Sequence, residues 1–164
     1  MKRISVVLIF VLLLSGCGNQ ETMETVADEL VAPVMAQPRE ISVRLPEGAI
    51  APVLESEGCQ IYMSEEYEIA IETMASGDLH STMEKLSGYD KDSLTVMETR
   101  QGETDRYDFV WVSTGERGDR LGRAVILDDG QYHYCMSVLR DAASVENTQI
   151  VWSDVFQSFE LTSY

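Results

Sequence analysis

Imidazole and thiol side chains are scarce in this chain, which holds two histidines and three cysteines in 164 residues. No C-x-x-C pair and no histidine cluster occurs, so the sequence has too few nitrogen and sulfur ligands for a recognisable zinc or copper site. A G-x-S-x-G segment and a glycine-rich phosphate loop are also absent. We therefore predict no catalytic residue, no metal and no cofactor for this protein.

Basic side chains are few as well. The chain has 12 Lys and Arg against 28 Asp and Glu, which gives a net charge of −16 at pH 7. A surface this acidic repels the phosphates of nucleic acids and anionic lipid headgroups. We therefore exclude nucleic acid as a partner and expect a protein partner to present a basic or an apolar patch.

The one long apolar run, residues 4–14, is too short to span a bilayer comfortably, since a spanning helix needs about 20 residues. Lys2 and Arg3 precede it, and it ends in Leu14-Ser15-Gly16-Cys17. This resembles the signal peptide and lipobox of bacterial lipoproteins. The resemblance implies that Cys17 is lipidated and becomes the first mature residue, carrying a diacylglyceryl group and a further acyl chain such as palmitate. Two or three chains anchor a protein firmly.

This interpretation divides the chain into three parts. Removal of the signal peptide, residues 1–16, would leave 148 residues and, with Lys2 and Arg3 gone, a net charge of −18. Residues 17–39 are acidic and end near Pro33 and Pro38, which predicts a lipidated tether. Residues 40–164 have the length of a single domain. We expect a protein held by its lipid on the extracytoplasmic face of the cell membrane.

Alternation of apolar and polar residues dominates the predicted domain and is typical of β-strands. The predicted strands cover residues 41–45, 59–63, 67–71, 94–98, 107–112, 121–127 and 132–139. A type I′ turn at Asp129-Gly130 would join the last two, so the last three strands form an antiparallel meander. Helical spacing predicts one helix from Leu79 that ends at Gly88 and a second helix over residues 148–159. This order predicts an α+β fold, an antiparallel sheet with helices packed on it.

The layout is similar to that of the PsbP-like superfamily. Three segments carry the resemblance: Ile41-Ser42-Val43-Arg44-Leu45-Pro46-Glu47-Gly48 resembles the opening strand, Gln131-Tyr132-His133-Tyr134-Cys135 a late strand, and Ser158-Phe159-Glu160-Leu161 the end of the closing helix. The resemblance implies a three-layer α/β/α sandwich. It also implies a role in binding or assembly without a shared catalytic centre.

Two thiols remain after Cys17. Disulfides persist outside the cytoplasm, so Cys59 and Cys135 are a candidate disulfide, and the alternative is two separate buried thiols. His133 and Cys135 are two residues apart on a predicted strand and therefore share a face. With Cys59 they could line a pocket, which makes a small-molecule or metal-binding lipoprotein the alternative functional hypothesis.

The other chemically interesting residues have simpler interpretations. His80 is predicted to lie on the solvent-exposed side of its helix. The segment Asp90-Lys91-Asp92-Ser93 begins like a calcium loop, but the glycine and the glutamate that such a loop requires are absent. The stripe of Tyr107, Phe109 and Trp111 is predicted to belong to the core.

Two exposed segments, the loop 114–119 and the acidic cluster Glu65–Glu68, are candidate contact sites. The leading hypothesis is a membrane-anchored lipoprotein that acts as a non-enzymatic binding or assembly module for another envelope protein.

Overall fold

Alternating apolar residues produce a seven-stranded antiparallel sheet. The structure is a computed structural model that describes residues 36–115, 118–142 and 149–162. The strands are β2 Leu54–Ser56, β3 Cys59–Met63, β4 Tyr67–Ala75, β5 Thr95–Gln101, β6 Thr104–Gly115, β7 Gly118–Asp128 and β8 Tyr132–Asp141. Their order in the sheet is β2-β3-β4-β8-β7-β6-β5. A separate ribbon pairs β1, Ile41–Ser42, with β9, Glu160–Leu161.

The predicted meander is confirmed. Strands β5 to β8 pair in sequence, each antiparallel to the next, and β8 then pairs with β4. The connection from β4 to β5 passes through helix α1, Leu79–Ser87, and a short 3₁₀ helix, Lys91–Ser93. Helix α1 therefore carries the chain across one face of the sheet to its far edge.

Both ends of α1 are determined locally. The carboxylate of Asp78 accepts hydrogen bonds from the amides of His80 and Ser81, and Gly88 ends the helix at φ 77°, in the left-handed region. The apolar side of α1 buries Met83 completely against the sheet. The cluster around it contains Phe109, Trp111, Ala124, Ile126 and Cys135.

Helix α2, Gln149–Gln157, packs on the opposite face. Its apolar stripe buries Trp152, Val155 and Phe156, and Phe159 follows just beyond the helix. These side chains contact a cluster contributed by strands β3, β4, β7 and β8, which includes Tyr67, Ile69, Val125, Tyr134 and Met136. One helix thus lies on each face of the antiparallel sheet, which confirms the α+β class.

A buried arginine holds the end of α2. Arg106 on β6 donates to the carbonyl oxygens of Phe156 at 2.9 Å and Phe159 at 3.2 Å. Its Nε also donates to Asp108 at 2.7 Å. The last carbonyls of a helix have no partner within the helix, so this guanidinium satisfies that of Phe156 and, through it and Phe159, ties the end of α2 to the sheet.

Strand β2 was not predicted, strands β4 to β8 are longer than predicted, and three further boundaries differ. The opening strand covers only Ile41–Ser42, because β9 offers two pairing residues, although half-burial still alternates through Val43 and Leu45. The second helix ends at Gln157, two residues early, because the chain extends into β9. In the β7–β8 hairpin the Asp129 amide donates to the Tyr132 carbonyl, so the central turn residues are Gly130 and Gln131, one position later than expected.

Part of the predicted organisation lies outside the described residues, including the signal peptide, Cys17 and most of the tether. Residues 36–40 run along the β7–β8 turn, where Tyr132 donates to the Ala36 carbonyl. Within the described ranges, no helix is long and apolar enough to cross a membrane.

Candidate functional site

Cys59 and Cys135 lie on two strands that flank β4. Both are paired in register with Glu72, one from each side, so all three residues share the sheet face that α1 packs on. Two strand spacings separate their Cα atoms by about 9–10 Å, whereas a disulfide needs less than about 7 Å. Both thiols are free in the structure. The arrangement favours two separate thiols over the candidate disulfide.

The two thiols differ in their surroundings. Cys135 is completely buried, and this burial raises the pKa of its thiol to about 12. Cys59 is half-buried near the edge of the sheet, where burial and then the Glu72 carboxylate raise the pKa of its thiol. Lys85 of α1 lies 3.3 Å from the same carboxylate. A raised pKa keeps both sulfurs protonated at neutral pH and makes them poor nucleophiles.

His133 lies beneath α1 and is fully buried. Thr82 Oγ1 is 2.8 Å from its Nδ1, while Ser76 Oγ and Asp128 Oδ2 are 3.3 and 3.5 Å from its Nε2. Ser76 and Asp128 therefore share one nitrogen, unlike the nucleophile and the acid of a hydrolase triad, which use opposite nitrogens. Thr82 holds the other nitrogen but is itself buried. These contacts satisfy the hydrogen-bonding capacity of a core imidazole.

A cavity of about 440 Å³ lies between residues 39–45 and strands β3 and β4. Tyr62 and Ile71 line it on the side of the sheet away from α1, and Cys59, whose register places its side chain on the α1 side, also lines it. His133 and Cys135 do not, because their side chains lie under α1. This cavity therefore does not join the three residues that the sequence analysis placed around one pocket. Within the described ranges, no three His, Cys, Asp or Glu side chains are grouped to hold a metal ion.

The two predicted contact segments lie at turns between paired strands. Thr114 pairs with Asp119 and Gly115 with Gly118, so the expected loop 114–119 is mostly paired strand, and its tip, 116–117, lies outside the described residues. In the acidic cluster, Glu65 and Glu66 are exposed at the β3–β4 turn, and Glu68 lies 3.6 Å from Arg120 on β7. His80 is exposed on α1, as predicted. Asp90 caps the 3₁₀ helix by accepting from the Asp92 amide.

A surface that the sequence reasoning missed lies on the other side of β6. Val110 and Val112 are each 50% exposed, and Met97 on β5 is 58% exposed. Val110 pairs with Thr95 and Asp108 with Met97, so Met97 is the diagonal neighbour of Val110 on one sheet face. We call these three residues the open face. Helix α2 lies on the same side of the sheet but does not cover them.

A groove joins the open face to α2. Its floor contains Val110, Leu121 and Val138, its wall contains Trp152 and Phe156, and its volume is about 240 Å³. Arg123 and Arg140 complete the lining. We call these seven residues the α2 groove. It combines apolar surface with two guanidinium groups on a protein that is otherwise strongly acidic.

A sequence signal for this surface did exist. Strand β6 is apolar on both faces, with Phe109 and Trp111 on one side and Val110 and Val112 on the other. A strand with two apolar faces is typical of a sheet position in which both faces are covered. The signal could not tell which face the protein itself would cover.

No protein-family model matches the chain, and no curated protein is significantly similar to it.

Proposed function

We propose that this protein is a lipid-anchored lipoprotein on the extracytoplasmic face of the cell membrane, where it acts as a non-enzymatic binding or assembly module for another envelope protein. The open face is the observation that carries the binding role. Apolar surface favours burial by about 25 cal/mol per Å², and grouped exposed apolar residues mark interaction sites more often than scattered ones do. A partner that packs on Met97, Val110 and Val112 would cover the part of the sheet that α2 leaves exposed.

The fold supports a related proposal, that the domain is a divergent PsbP-like sandwich. Helices α1 and α2 lie on opposite faces of one antiparallel sheet. The segment that opens with Ile41 and the one that ends at Leu161 pair with each other beside α2. Since a shared fold does not determine function, this proposal adds to the binding role only the expectation that catalysis is absent.

The anchor is tested by replacing the thiol that would carry the lipid. We expect Cys17→Ser to abolish incorporation of labelled palmitate and to move the protein from the membrane fraction to the soluble fraction, because acyl chains supply the membrane affinity. Cys59→Ser is the matched control and should change neither. Membrane attachment that survives the loss of Cys17 would contradict the lipoprotein assignment.

The binding role is tested by photocrosslinking in living cells. A photoreactive amino acid is placed at Val112 in the open face, or at Met63, which is similarly exposed at 57% on β3. We expect position 112 to capture one reproducible envelope protein and position 63 to capture none. No adduct at position 112, or the same mixture at both positions, would refute the assignment of the open face as a docking surface.

A further inference from the structure

The two edges of the seven-stranded sheet differ in how they are protected against pairing. Strand β2, Leu54–Ser56, has three residues and follows Pro52, and both a short edge strand and a proline hinder the addition of another strand. Strand β5, Thr95–Gln101, has seven residues, contains no proline and pairs with β6 without a bulge. Within the described residues, no strand pairs with its other side. Strand β5 is therefore the edge that is open to strand addition.

The turn after β5 determines which backbone groups of that strand face the open side. Gln101 and Thr104 flank a two-residue turn whose first residue, Gly102, has a φ of 65°. Such a turn closes on a pair of residues that exchange hydrogen bonds, and pairs of this kind alternate along the two strands. The amide and carbonyl groups of Glu98 and Arg100 therefore point away from β6.

The side chains of this edge carry opposite charges two positions apart. Glu98, Thr99 and Arg100 are all exposed. Arg100 Nε lies 3.6 Å from Asp105 Oδ1 of β6, but the Arg100 side chain remains 68% exposed, so a second carboxylate can approach it from the open side. Among the residues that the structure describes, none forms an ion pair with Glu98. Charged side chains commonly guard an edge, but this pattern is complementary to an antiparallel copy of itself.

One register of two β5 strands matches these charges. When Thr99 lies opposite Thr99 of a second, antiparallel copy, Glu98 lies opposite Arg100 of that copy, and Arg100 lies opposite its Glu98. Opposite charges and threonines that face each other across two strands are stabilising. A shift of the centre by one residue would place two Glu98 or two Arg100 side chains opposite each other, which is destabilising. The charge pattern therefore favours a second copy as the occupant of this edge.

We propose that the protein forms a two-fold dimer in which the β5 edges of two copies pair antiparallel, centred on Thr99. Backbone hydrogen bonds join Glu98 and Arg100 of each copy to Arg100 and Glu98 of the other. The two-fold axis is perpendicular to the sheet, so both copies present Val110 and Val112 on the same side. The dimer leaves the open face uncovered and does not depend on the proposed function, but it would offer a partner two open faces side by side.

Disulfide trapping of purified full-length protein in detergent tests the dimer, because a short edge contact is typical of a weak association. Every variant carries Cys59→Ser, and Cys135 is completely buried. Thr99→Cys places two thiols at the centre of the interface, where opposite Cα atoms are about 4.5 Å apart, a distance that a disulfide can bridge. Thr95→Cys is the matched control, an exposed threonine on the same face of β5. In the proposed register its two copies lie eight residues apart, about 27 Å. The parent with Cys59→Ser alone measures any contribution from Cys17.

We expect a mild oxidant to convert the Thr99→Cys variant to a covalent dimer on a non-reducing gel. The reaction should be at least about tenfold faster than that of Thr95→Cys, because pairing holds the two thiols at a high effective concentration. The measurement is made at physiological ionic strength, where a Debye length of about 8 Å screens the net charges of the two copies.

An exchange of charges tests the register. Glu98→Arg and Arg100→Glu, each added to Thr99→Cys, should slow trapping by about tenfold or more, since each variant places like charges opposite each other in both pairs. An equal mixture of the two variants should restore trapping, because every pair across the mixed dimer again has opposite charges. Tags of different size identify the mixed dimer. A variant that had merely unfolded would not be rescued in this way.

Several outcomes would overturn the proposal. Equal trapping at positions 95 and 99 would indicate random collision, and a mixture that does not restore trapping would refute the register. No dimer at position 99 would refute edge pairing, and a dimer that appears only after deletion of residues 18–35 would assign the edge to the tether of this chain. Crosslinking of position 99 in cells to a different protein, without the dimer, would assign the edge to a strand of that protein. An envelope protein captured at position 112 without a dimer at position 99 would leave the proposed function standing and remove this inference.

Discussion

Strand β6 has two apolar faces, and the protein covers them differently. On the α1 side, Phe109 and Trp111 are 2% and 6% exposed, whereas on the α2 side Val110 and Val112 are each 50% exposed. Apolar residues of one strand are therefore buried on its α1 side and half-exposed on its α2 side. The helices explain the contrast, since α1 packs over β6 to β8, while α2 packs over β4, β8 and β7. The apolar character of a surface therefore predicts that burying it is favourable, but it does not predict which helix or partner buries it.

The largest expected effect is the difference in reaction rate between the thiols of Cys59 and Cys135, which share the α1 face of the sheet but differ in burial. With Cys17 replaced by serine, Cys59 should react with a thiol reagent at pH 8 in the folded protein. Cys135 should react at least about a thousandfold more slowly, because its fully buried thiol becomes accessible only when the protein unfolds. Mass spectrometry of timed samples measures both rates. Similar rates for the two thiols would mean that α1 does not cover Cys135.

Truncating Trp111 and Val112, which are adjacent in β6 but lie on opposite faces, tests the difference in burial between those faces. We expect Trp111→Ala to lower the free energy of unfolding by about 3–5 kcal/mol, because it empties a packed site under α1. Val112→Ala should change it by no more than about 0.5 kcal/mol. Urea denaturation of both variants measures the difference. Equal losses would show that the open face is as well covered as the other.

The hydrogen bonds that join the end of α2 to the sheet can be removed by replacing Arg106. Arg106→Met should cost about 3 kcal/mol, near the lower end for breaking a buried ion pair, because Arg123 still contacts Asp108. The matched control is Arg100→Met, which removes an exposed contact to Asp105 and should cost at most about 1 kcal/mol. Hydrogen exchange should also show faster opening of the last turn of α2 in the Arg106 variant only.

The smallest expected effect concerns the start of α1. A hydrogen bond from Ser81, against some desolvation, lowers the pKa of Asp78 below its ordinary value. A lowered pKa in the folded state adds stability above the unfolded value of 3.8, and this contribution is lost as the pH falls through the folded pKa. Asp78→Asn keeps a capping oxygen without the charge. Its melting temperature should therefore fall less steeply than that of the wild type between pH 5 and pH 3.

Some predictions succeeded because their signals are local. Helix α1 was predicted with its glycine stop, since capping involves residues adjacent in sequence. The meander followed from alternation and from a glycine-containing turn. The predicted strand over 41–45 was too long because its length depends on β9, more than 100 residues away. The cavity found in the structure does not join Cys59, His133 and Cys135, because α1 packs directly over the face that they share and buries His133 and Cys135.

The sequence by itself determined the periodicities of this protein: which residues alternate, where α1 begins and ends, and whether one or both sides of a strand are apolar. These properties come from interactions within a few residues along the chain. Only the tertiary structure decided that α1 covers the aromatic side of β6, that α2 stops short of Val112, and that Arg106 joins the end of α2 to the sheet. Those outcomes depend on contacts between residues about 26 positions apart, as for Met83 and Phe109, to 53 positions apart, as for Arg106 and Phe159. The strength of such contacts reflects how two surfaces fit together in space.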